Sequence, residues 1–178
     1  MSYELRERQT IYSSKRFQLE IHHLDRLEDG KRVKREVIVH GGSVVILPLL
    51  SETEILLIRN YRYAVRKYLL ELPAGTLEKG EDPTNCAGRE LQEETGYLAG
   101  RIKSLGHFYA SPGITSEKMY AFAAYDLQKT VQNLDEGEEI EVVPTKIDDA
   151  LAMIRTGEIE DGKTIAALLM WRTMGTGK

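Results

Sequence analysis

The chain has 178 residues, 42% hydrophobic and 29% charged, which provides a core for one globular domain, or one domain with a short appended element. Its 28 acidic residues outnumber 24 Lys and Arg, for a net charge of −4, and no strong basic run marks a nucleic-acid partner. A single cysteine, Cys86, excludes an internal disulfide; the polar opening MSYELRERQT and apolar runs of strand length argue against a signal peptide or membrane span, so a cytoplasmic protein is expected.

In chain order, residues 1–12 read as a polar arm. Residues 17–27 alternate roughly, Glu28-Asp29-Gly30-Lys31 is a turn signal, and 32–40 resumes the strand, which predicts a β-hairpin. The organisation expected is an arm and hairpin over 1–40 and a main domain over 41–178. Gly41-Gly42 breaks the chain before 43–50, an apolar run suited to a buried strand, with Pro48 signalling an irregularity or edge near its end. Ser51-Glu52-Thr53 turns the chain and 54–61 returns; a further strand ends at Gly75.

The first clear helix has Asp82 as cap, Pro83 in its first turn and Gly96 at its end. Strands follow over 101–108 and 118–127, separated by the loop 109–117. An acidic loop, 135–139, precedes a short strand over 140–143. Two helices close the chain, one capped by Thr145 and stopped by Gly157, the other capped by Asp161 and running over 163–174. Strands, helix, strands, helices in that order imply a mixed sheet held between helices.

The helix after Asp82 carries Arg89, Glu90, Glu93 and Glu94. Three carboxylates at i, i+3 and i+4 share one stripe and repel, by a few tenths of a kcal/mol per pair, and Arg89 offsets only part of that. A hard divalent cation, Mg²⁺ or Mn²⁺, would turn the repulsion into coordination. On the helix alone, a solvated acidic face is an equal reading. The flanking Glu71-Leu72-Pro73-Ala74-Gly75 tips the balance, because glycine lets backbone approach a ligand and the next loop leads into the helix.

Gly75, five residues, Glu81, seven residues, Arg89-Glu90-Leu91, one residue, Glu93-Glu94, one residue, Gly96-Tyr97 resembles the complete Nudix box: all nine defined positions are filled within 23 residues. Only Tyr97 departs from the usual aliphatic residue, at a packing position. The resemblance implies an α/β/α sandwich with a mixed β-sheet and an N-terminal β-hairpin extension, and metal-dependent hydrolysis of a nucleoside diphosphate linked to another moiety. By carry-over, Glu90 and Glu94 would be principal metal ligands, Glu93 a further ligand or helper, and the Ala74 carbonyl a backbone ligand. Glu81 would assist, and Arg89 would orient the carboxylates.

Beyond the box, Pro112 stands fifteen residues after Tyr97, a placement that resembles the ADP-ribose pyrophosphatase branch. Lys34-Arg35-Glu36, Ile58-Arg59-Asn60-Tyr61-Arg62 and Asp161-Gly162-Lys163-Thr164 continue the similarity over most of the chain, and the closing stretch also resembles the GDP-mannose hydrolases. The resemblance implies that Arg35 and Arg62 hold phosphates or sugar and that a glutamate of the acidic loop, Glu136 or Glu138 with Glu139 open, activates water or joins the metal site. It also implies a homodimer built through the N-terminal hairpin, and ADP-ribose as substrate with GDP-mannose the alternative. A silent nucleotide-sugar sensor is the competing class, disfavoured because every box glutamate is present.

Overall fold

The computed structural model describes residues 2–134 and 137–174, in two compact units: residues 2–42 with 109–118, and, of the remaining described residues, 43–108 with 119–134 and 137–174. The first unit is a three-stranded antiparallel sheet in the order β1 (Tyr3–Ser13), β2 (Phe17–Arg26), β3 (Arg32–His40). Phe17 opposite His40 and Asp25 opposite Arg32 place the 28–31 turn at the hairpin tip. There Arg26 donates to Asp29 Oδ1 at 2.8 Å, and the Lys31 N–H does so at 3.1 Å. Most of the stretch read as a polar arm forms strand β1. All eleven of its residues are exposed, so backbone pairing with β2, rather than an apolar face, holds it. The loop 109–118 joins this unit because the Ile38 N–H donates to the Ile114 carbonyl at 2.8 Å and Ser116 N–H returns to Ile38 at 2.9 Å.

The second unit contains two sheets. One is antiparallel, in the order β10 (Ile140–Lys146), β5 (Glu54–Arg62), β6 (Lys67–Glu71). The other is mixed, in the order β7 (Ala74–Thr76), β4 (Ser43–Pro48), β9 (Lys118–Lys129), β8 (Tyr97–Tyr109), with β4 parallel to β9 and antiparallel to β7. Alternation along β4 divides the core. Val44 and Ile46 pack with Phe122, Ala124 and the helix residues Cys86, Ala87 and Leu91. Val45 and Leu47 pack with Leu57, Ala167, Leu168 and Trp171 on the other side. Every β4 residue is buried, as a strand covered on both faces must be. Pro48 is tolerated because it lies past the 43–45 stretch that pairs with β7.

Helix α1 (Pro83–Thr95) starts where the Asp82 carboxylate accepts from Thr84 N–H at 2.8 Å and Asn85 N–H at 3.3 Å. It stops at Gly96, whose φ of 72° suits glycine and where a Cβ would stand 2.9 Å from the Gln132 backbone nitrogen. Helix α2 (Ile147–Thr156) is not capped by Thr145: that hydroxyl donates to the Val143 carbonyl at 3.0 Å, because β10 runs straight into the helix. Asp148 and Asp149 in its first turn face the positive helix end instead. Helix α3 (Gly162–Thr173) begins under Asp161, which accepts from Thr164 N–H at 3.0 Å.

Candidate active site

Strand β7, the loop after it and α1 assemble the acidic residues. Gly75 is required by steric contact: a Cβ there would meet the Glu90 carboxyl carbon at 1.9 Å, so the Glu90 side chain lies directly on the strand backbone. Arg89 gathers three carboxylates. It donates from Nε and Nη2 to the two oxygens of Glu81 at 3.0 Å each, and from Nη1 to Glu90 Oε1 at 2.7 Å and Glu93 Oε2 at 2.8 Å. Its pKa is held well above the ordinary arginine range, first by the hydrogen bonds to Glu81. Glu81 is in turn lowered to about 2 by the same contact.

Glu94 lies one turn after Glu90 and is 4% exposed; its Oε2 accepts from the Ala74 N–H at 2.8 Å. Burial pushes its carboxyl up to about 8, and the charges of Glu90 and Glu138 push the same way, against the Ala74 N–H and Arg62. Glu90 is raised as well, because burial outweighs the pull of Arg89. Glu138 is exposed in the loop before β10, and its charge raises both Glu90 and Glu94. One buried and one part-buried carboxylate that resist ionisation, beside further acidic groups, offer donors of the kind a hard divalent cation takes, and a cation would favour their charged forms. Among the described residues no three or more His, Cys, Asp or Glu side chains stand close enough together to hold a metal ion as they are placed here. The hydrogen bonds from Arg89 and Ala74 engage one oxygen each of Glu90, Glu93 and Glu94.

Arg62 donates to both oxygens of Glu71, at 2.8 and 2.5 Å, and Glu94 is among the charges acting on it. Arg35 and Pro112 belong to the first unit, both exposed; the Arg35 guanidinium lies 5.9 Å from the centre of the Tyr3 ring. Glu136 falls outside the described residues. Cys86 is fully buried, and burial pushes its thiol up to about 12, so it packs rather than reacts. Sequence reasoning did not single out a role for Glu71 or Lys163, whose side chains meet at 2.6 Å. The available signal is a lone glutamate inside the apolar stretch Leu69-Leu70-Glu71-Leu72.

A mixed sheet between helices, with Arg-braced glutamates at a loop–helix junction, defines the Nudix hydrolase class. The chain belongs to that family: residues 39–168 match the NUDIX domain, whose members generally use divalent metal ions. The ADP-ribose pyrophosphatase of Bacillus subtilis is 37% identical over 163 residues, covering 90% of this chain and 88% of that protein. The GDP-mannose pyrophosphatase of Citrobacter koseri is 38% identical over 150 residues, covering 79% and 78%. A crystal structure of an ADP compounds hydrolase matches the fold with a TM-score of 0.85 over 98% of this chain and 94% of its own, at 24% identity. The expected Nudix sandwich with an N-terminal hairpin is therefore borne out. No helix among the described residues is long and apolar enough to cross a membrane.

Proposed function

We propose that this enzyme hydrolyses the pyrophosphate of a nucleoside-diphosphate sugar, with ADP-ribose the preferred substrate and AMP and ribose 5-phosphate the products. The observation that carries the reaction is the glutamate set on α1, with Glu90 and Glu93 braced by Arg89 and the buried Glu94 held by the Ala74 N–H. The substrate reading is supported by the similarity to an ADP-ribose pyrophosphatase over 90% of the chain. GDP-mannose is the second reading, supported by the Citrobacter koseri relative.

Glu90, Glu93, Glu94, Glu138 and the Ala74 carbonyl would hold Mg²⁺ or Mn²⁺, which would neutralise the phosphates and polarise the attacked phosphorus. Arg89 serves by orienting: its contacts with Glu81, Glu90 and Glu93 keep like charges together on one face. Water then adds to one phosphorus through its oxygen, Glu136 or Glu138 takes the proton, and the bridging oxygen leaves with the other phosphate. Arg62 and Arg35 would hold the substrate's phosphates or sugar, with Pro112 shaping the loop that receives it. We assign the protein to the cytoplasm and to a homodimer joined through the N-terminal sheet. Strand β1, exposed along its whole length with Tyr3, Leu5, Ile11 and Tyr12 outward, supports that interface.

The test is a panel of ADP-ribose, GDP-mannose, dinucleotides and nucleoside triphosphates with Mg²⁺, products identified, alongside light scattering. The highest kcat/KM is expected for ADP-ribose, in a dimer. Failure to cleave any nucleotide sugar overturns the functional reading, and a fully active monomer overturns the dimer.

A further inference from the structure

Glu71 ends β6 with a side chain of 0% exposure, and it holds two cations at once. Arg62, from the neighbouring strand β5, docks on it bidentately, Nε to Oε1 at 2.8 Å and Nη2 to Oε2 at 2.5 Å. Lys163, from the first turn of α3, reaches Oε2 at 2.6 Å and also stands 3.0 Å from Asp161 Oδ1. Asp161 accepts from the Thr164 hydroxyl at 2.6 Å, and that hydroxyl oxygen accepts from the Leu72 N–H at 2.7 Å. Two strands and a helix start therefore converge on one carboxylate.

A buried ion pair contributes little net stability over apolar residues of similar volume, so stability alone is a weak account of this cluster. Orientation is a better one. Arginine on a strand end is otherwise free to turn through several rotamers. Here the bidentate contact commits two of the five guanidinium N–H donors to Glu71, while 39% of the Arg62 side chain stays exposed. The outer edge of the fork is left to an anion. Three residues after Glu71 the Ala74 N–H holds Glu94 Oε2 at 2.8 Å, and Glu94 acts electrostatically on Arg62, so Arg62 stands beside the acidic helix.

We infer that Glu71 is a positioning residue for the reaction. It fixes the Arg62 guanidinium so that its outer edge meets a substrate phosphate oxygen, while Lys163 braces Glu71 against α3 and balances its charge. The inference rests on the nucleotide-sugar reading for the identity of the phosphate-bearing ligand. Without Glu71, Arg62 and Lys163 would repel across the vacated carboxylate, and the fork would turn away.

Full-length wild type, Glu71→Gln, Arg62→Ala and the double variant are compared in ADP-ribose hydrolysis with Mg²⁺, with folding checked by thermal melts. Arg62→Ala is expected to raise KM roughly tenfold or more, and Glu71→Gln about fivefold with kcat lowered less than about threefold. The double variant should be no worse than Arg62→Ala, because Glu71 acts through that side chain. An unchanged KM in Glu71→Gln, or effects that add in the double variant, overturns the assignment. Should Glu71→Gln not fold, Lys163→Met keeps the Glu71–Arg62 pair and removes the brace; a KM raised about threefold supports the inference, and an unchanged KM overturns it. Calorimetric titration with ADP separates this idea from the proposed reaction. If wild type cleaves no nucleotide sugar, the reaction reading fails, while ADP binding weakened in a folded Glu71 or Lys163 variant still supports positioning and equal binding rejects it.

Discussion

Replacing Glu94 by glutamine separates what the carboxylate does to the fold from what it does for the reaction. Glu94 is 4% exposed and titrates at about 8 rather than 4.5, with burial the first cause. Below pH 4.5 the carboxyl is protonated in both folded and unfolded chains and costs nothing. Between 4.5 and about 8 the unfolded chain releases a proton that the folded chain keeps, so stability falls as pH rises, and above about 8 the loss is complete. At about 1.4 kcal/mol per pH unit, the metal-free fold loses about 3 kcal/mol to Glu94 by pH 7.

Glutamine keeps an oxygen to accept from the Ala74 N–H and carries no charge at any pH. In EDTA near pH 8, Glu94→Gln should therefore melt about 5 °C or more above wild type, with the gap closing toward about pH 5. Mg²⁺ should reverse the order by stabilising wild type through binding to the folded state, and the variant's kcat should fall on the order of a thousandfold. Paired melts with EDTA and with Mg²⁺ across pH, plus steady-state rates, make the assay. A variant that melts below wild type in EDTA near pH 8 would refute the claim that burying this charge is a cost. Near-full turnover at saturating Mg²⁺ would refute Glu94 as a principal ligand.

Arg89→Met removes the cation shared by Glu81, Glu90 and Glu93; kcat should fall about a hundredfold, and an unchanged rate would show that the carboxylates orient themselves. Gly75→Ala should fold, because the three atoms nearest its new Cβ all belong to the far end of the flexible Glu90 side chain, yet displace that carboxylate and weaken Mg²⁺ binding about tenfold by calorimetry. Native Mg²⁺ affinity would contradict the placement of Glu90. Glu138→Gln should lower kcat more than it raises KM, since its contribution is made in the transition state. If Glu136, Glu138 and Glu139 each tolerate Gln within about twofold, the loop is a solvated turn and Glu93 becomes the candidate base.

Local chemistry made α1 legible, because its signals sit within a few residues of what they control. Asp82 caps, Pro83 starts and Gly96 stops the helix by rules that need no tertiary context. The box was legible for the same reason, since its glutamates share a face through helical spacing alone. Strand β1 was not, because neither of its faces is buried and only its backbone is committed to β2. Thr145 had the chemistry of a cap, but the unbroken run of β10 into α2 turned its hydroxyl to Val143 instead.

The Glu71–Lys163 contact is the deepest of these silences, for it joins residues 92 apart. Glu71 stands out only as a lone charge in an apolar stretch and Lys163 reads as an ordinary surface charge; only the pairing of β5 with β6 and the docking of α3 make them partners. Local rules set out the carboxylates, which repel one another on any helix with this spacing. The cations that meet on Glu71 arrive from elsewhere, Arg62 by strand register and Lys163 by helix packing. If Arg62 meets a substrate phosphate as proposed, the antiparallel sheet supplies a contact that an acidic helix cannot offer, and α3 serves it at one remove by bracing Glu71.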